Sequence, residues 1–115
     1  MIVPAVQVMT GSSGPYLADT NGMTLYVFSA DQAGAGSSAC NGQCATAWPP
    51  APLVFAALTP NIPTGTIGTI TRQDGSQQLT YNGLPLYGFA RDTSQGQTNR
   101  QGITAFGGTW NMATP

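Results

Sequence analysis

The residues that could do chemistry are few. Asp19, Asp31, Asp74, Asp92, Arg72, Arg91 and Arg100 are the whole charged complement of a 115-residue chain with no Lys, Glu or His and a net charge of -1. Asp31 and Asp92 are the most suggestive pair, because they occupy the same position in two related segments. A twofold arrangement of those segments could bring two carboxylates together, as in the acid–base work of aspartic proteases and glycosidases. Each Asp also ends an expected strand and opens a Gly-rich loop, where a carboxylate accepts backbone N–H groups in an Asx turn. Neither Asp31-Gln32-Ala33 nor Asp92-Thr93-Ser94 has the D-(TS)-G signature of aspartic proteases. Loop capping is therefore the expected role, and a carboxylate-dyad hydrolase is the lesser alternative. Ser and Thr are plentiful, but no His or Lys is present to activate them, so no enzyme is expected.

Cys40 and Cys44 are the only cysteines, with three residues between them in a Gly- and Ser-rich segment. A local disulfide there would stabilise by about 2 kcal/mol and fits an oxidising compartment. The rival readings are a redox pair or a metal site. Zinc needs four ligands, and without His only distant Asp residues could complete the set, so no metal or cofactor is expected. Tyr26, Phe28, Tyr87 and Phe89, with Trp48 and Trp110, form a third group. They would either present an aromatic platform to a sugar or another chain, or pack as a second small core under the loops that follow them.

Composition narrows the partners. Three scattered Arg cannot neutralise a nucleic-acid backbone or an anionic membrane surface, and no apolar run is long enough to span a bilayer. With 41% hydrophobic residues the chain has material for a packed interior. The sparse charge leaves little repulsion between copies, which favours self-association.

The elements that must position these residues are written twice. Sliding the chain along itself aligns residues 3–31 with 64–92 without a gap. The identities pair Thr10 with Thr71, Gly14 with Gly75, Asn21 with Asn82, Gly22 with Gly83, Leu25 with Leu86, Tyr26 with Tyr87, Phe28 with Phe89 and Asp31 with Asp92. The register then slips by one, and Trp48 falls near Trp110. The copies run over 3–50 and 64–115, joined by a connector at 51–63, within a single domain. Each copy reads as a three-stranded meander whose last hairpin turns at Asn-Gly, the pair that best tolerates the positive φ angles of a type I′ turn. Counting outward from those turns places Tyr16, Ala18, Met23, Leu25 and Val27 on one face, with Leu79, Tyr81, Leu84 and Leu86 on its counterpart. A short helical turn at 45–47 must stop before Trp48-Pro49-Pro50.

The stretches Tyr26-Val27-Phe28-Ser29-Ala30-Asp31 and Tyr87-Gly88-Phe89-Ala90-Arg91-Asp92 both fit Y-x-(FWY)-x-x-D. Residues 40–50 fit C-x-G-x-C-A-x-x-W-P-P. The sequence thereby resembles the bacterial "secreted repeat of unknown function" family, predicted lipoproteins with the Y-x-(FWY)-x-x-D motif, over nearly its whole length. The resemblance implies export to the envelope or beyond, two repeats per domain and no established activity. No lipobox cysteine lies near the start, so a removed signal and no lipid anchor are expected of this form.

The expected fold is all-β: two tandem three-stranded meanders packed with pseudo-twofold symmetry as a small sandwich or partly closed barrel, with Leu25 and Leu86 meeting inside. The expected function is a non-catalytic secreted or cell-envelope module that binds an unknown surface protein or polymer or has a structural role. The alternative is a self-assembling subunit of an extracellular filament or surface layer.

Overall fold

In this computed structural model the residues described are 2–4, 6–11, 14–19, 22–34, 36–52, 55–57, 65–72, 74–90, 92 and 102–115. The fold is all-β, with one short helix among the described residues. Strands β1 (Ile2–Pro4) and β5 (Phe55–Ala57) pair antiparallel, and so do β2 (Gln7–Gly11) and β3 (Gly14–Ala18). Strand β4 (Tyr26–Phe28) lies in a three-stranded sheet of order β4-β10-β9, with β9 at Ile103–Ala105 and β10 at Gly108–Met112. Strands β6 (Ile67–Thr71), β7 (Gln77–Tyr81) and β8 (Leu84–Pro85) form the other three-stranded sheet. Helix α1 spans Gln43–Ala47 and stops at Trp48, as the following proline requires. Among the described residues the sheets do not close into a barrel.

The second copy is the expected meander. Asn82 (φ 51°) and Gly83 (φ 85°) form the two-residue turn, with Tyr81 opposite Leu84. Glycine is required at position 83 for a second reason, since a Cβ there would stand 2.7 Å from the Gly34 nitrogen.

The first copy departs from the expectation in two ways. Its third strand, β4, belongs to the β9–β10 sheet, and it is the residues just before β4 that pair with β3, through the Ala18–Thr24 bridge and the Leu25 N–H to Leu17 carbonyl bond. Its turn is also longer than two residues, because the Asp19 carboxylate accepts the Met23 N–H at 3.0 Å and the Asp19 amide donates to the Met23 carbonyl. Asn21 lies outside the described residues. The longer turn slips the pairing by one residue, and a slip of one reverses every side chain. Leu17, not Ala18, therefore opposes Leu25, and Leu17 takes the place in the core expected of Tyr16 and Ala18. Tyr16 is buried on the opposite face with its ring over Gly11, and Met23 is only half-buried.

Two apolar clusters result. The first holds Val6, Leu17, Leu25, Ala51, Leu79, Tyr81, Leu86 and Ala113, so Leu25 and Leu86 do share a core. The second holds Tyr26, Phe28, Cys40, Cys44, Trp48, Tyr87 and Trp110, with Phe89, Ile103 and Ala105 packed against it.

The copies are interlocked. Strand β10, from the second copy, pairs with β4 of the first, placing Trp110 opposite Phe28 and Met112 opposite Tyr26. Ala113 continues the run by donating to the Leu25 carbonyl and accepting from the Leu17 amide. The end of the first copy, with the first residue of the connector, does the same to the second. Pro50 bridges Tyr87, Pro49 and Ala47 accept from Gly88 and Ala90, and Ala51 sits between Leu86 and Leu79. At the centre Tyr26 and Tyr87, equivalent in the duplication, exchange both backbone hydrogen bonds, at 2.7 and 2.9 Å. The pseudo-twofold passes between them.

Candidate functional site

The six aromatic residues of interest come together around that axis. Trp48 and Trp110 stack with ring centroids 4.1 Å apart and planes 1° from parallel. Each Trp then meets the motif residues of the opposite copy: Trp110 stacks on Phe28 at 4.1 Å and Trp48 tilts against Phe89 at 4.5 Å. Tyr26 meets Trp48 edge-on, and Tyr87 meets Trp110 edge-on. Such stacked and edge-to-face arrangements suit the ring quadrupoles. Tyr26, Phe28, Trp48, Tyr87 and Trp110 are buried and Phe89 is half-buried, so their faces are turned towards one another.

The two motif aspartates are also crossed. The Tyr87 hydroxyl donates to Asp31 Oδ2 at 2.7 Å, and the Tyr26 hydroxyl donates to Asp92 Oδ2 at 3.0 Å. Each tyrosine of Y-x-(FWY)-x-x-D thus reaches the aspartate of the other copy. Asp31 Oδ1 accepts the Ala39 N–H at 2.6 Å and so caps the loop it opens. The carboxylates are bound to different tyrosines and form no hydrogen bond with each other among the described residues. Burial holds the Tyr87 phenol well above the usual tyrosine range, with the Asp31 hydrogen bond and charge adding to it.

Cys40 and Cys44 form a disulfide at the start of α1, and both are buried in the aromatic cluster. Arg72, which no sequence motif singles out, ties this loop to the second copy. Its guanidinium donates to the Cys40 carbonyl at 2.6 Å, to Asn41 Oδ1 at 3.2 Å and to Gln78 Oε1 at 2.8 Å. Gln78, itself fully buried, passes the link on to the Leu86 carbonyl. The signal was present in the duplication, since Arg72 stands where the first copy has Gly11. Among the described residues no group of three or more His, Cys, Asp or Glu could hold a metal ion. Residues 93–101, most of the second Gly-rich loop, lie outside the described residues.

Beside the aromatic cluster lies an open cleft of about 520 Å³ between α1, the Phe89–Ala90 turn and the β9–β10 hairpin. None of the described residues that line it is charged. Its floor includes Trp48, Phe89 and Ile103, and Gln43 and Thr46 stand on its helical wall. Phe106, at the tip of the hairpin, completes the lining and is 50% exposed.

This architecture defines a class: a duplicated all-β domain whose copies exchange their C-terminal segments and bury their shared motif at the junction. The chain matches the family described as a secreted repeat of unknown function over residues 7–52 and 68–114, and it belongs to that family. No curated protein and no solved structure matches it.

Proposed function

We propose that the chain is a non-catalytic module of the cell exterior or envelope that binds a surface protein or polymer through the face carrying the cleft. The observation that carries this reading is the crossed Tyr–Asp pairing. The groups best suited to acid–base chemistry are engaged with each other inside the protein, where they join the copies. The cleft, by contrast, has a volume typical of ligand sites, is apolar, and carries a few polar groups at its edge. The family's description as secreted supports the location.

The test is cosedimentation of the pure protein with envelope material isolated from the producing organism. Thr46→Arg places a charge on the exposed face of α1 at the cleft. The wild type should sediment with the material and the variant should stay in solution. Equal behaviour of the two proteins would overturn the reading.

A further inference from the structure

Phe106 is placed against the preferences of its own backbone. Ala105 pairs with Gly108, so Phe106 and Gly107 form a two-residue hairpin turn with φ of 54° and 86°. These angles match those of Asn82-Gly83, where asparagine occupies the first position. Asparagine enters the left-handed region readily because its short side chain bonds locally; a bulky aromatic does not. Phe106 is also the one large hydrophobic residue exposed among those described. A strained position, an exposed aromatic and the mouth of an apolar cleft therefore coincide, and an outlier of this kind points from geometry to function.

We propose that the occupant of the cleft is the Phe106 hairpin of a second copy, giving an isologous dimer in which each Phe106 enters the other's cleft. The inference rests on reading the cleft face as a binding surface. Three observations favour a second copy over an unrelated partner. Knob and hole lie on the same face, which is what a twofold contact needs. The described lining carries no charge and the chain only -1 overall, so like faces meet with little repulsion. Strand β9, which leads into Phe106, is an edge strand whose outer side pairs with no other described strand and can add to its counterpart across the same twofold.

Sedimentation velocity of the intact chain over a concentration series tests the proposal, with Phe106→Asn and Thr46→Arg as variants. The wild type should pass from monomer to dimer as concentration rises. Phe106→Asn removes two buried rings per dimer and should weaken association about a hundredfold. It should do so without lowering the thermal midpoint, because asparagine suits the turn. Thr46→Arg, which leaves the hairpin intact, should also reduce dimerisation. A wild type that stays monomeric throughout, or a Phe106→Asn protein that associates as tightly as wild type, would overturn the proposal. A monomeric wild type that still sediments with envelope material in a Thr46-dependent way sinks the dimer alone and leaves the binding reading in place.

Discussion

Tyr87 shows how much of the junction depends on single atoms. Its phenol is buried against the Asp31 carboxylate, so its pKa in the folded protein lies above the value near 10 of an unfolded tyrosine. A raised pKa of this kind favours the folded state fully below pH of about 10. Above that pH the unfolded chain loses a proton that the folded chain keeps, and stability falls as pH rises. Ultraviolet titration should place the Tyr87 ionisation, identified as the part of the signal lost in Tyr87→Phe, at higher pH in the folded protein than in urea, and Tyr87→Phe should flatten the alkaline decline. The disulfide acts at the same scale. Cys40→Ser with Cys44→Ser should lower urea stability by about 2 kcal/mol and loosen α1, which starts inside the closed loop. The cysteine pair, the motif tyrosines and the motif aspartates were each legible as candidates in the sequence. The partner of each motif Asp was not, because a duplicated motif offers two equivalent tyrosines and no pattern chooses between them.

At the scale of elements, the duplication made the all-β fold and the Asn82-Gly83 hairpin readable, since alternation and turn chemistry agree there. The first hairpin misled because its turn, held by Asp19, is longer than two residues, and hydrophobic residues on both sides of β3 left the register open. The exchange of terminal segments was hidden for a similar reason: β10 and residues 47–51 could equally have completed their own copies. The revised register is testable. Leu17→Ala should cost about 2–5 kcal/mol as a fully buried core truncation, whereas Met23→Ala should cost well under that. Denaturant curves giving the reverse order would restore the two-residue turn.

For the molecule as a whole, the exchange means that neither copy contains its own core. Ala113 completes the Leu17–Leu25 layer and Ala51 completes the Leu79–Leu86 layer, while the Trp pair draws one member from each half. The chain should therefore unfold in one cooperative transition. The claim that the motif joins the copies is tested most directly by double-mutant cycles read as unfolding free energies. Tyr87→Phe combined with Asp31→Asn, a pair from different copies, should show a coupling of about 1–2 kcal/mol. Tyr26→Phe combined with Asp31→Asn, a pair from one copy, should be additive. Coupling within the copy and additivity between copies would contradict the account.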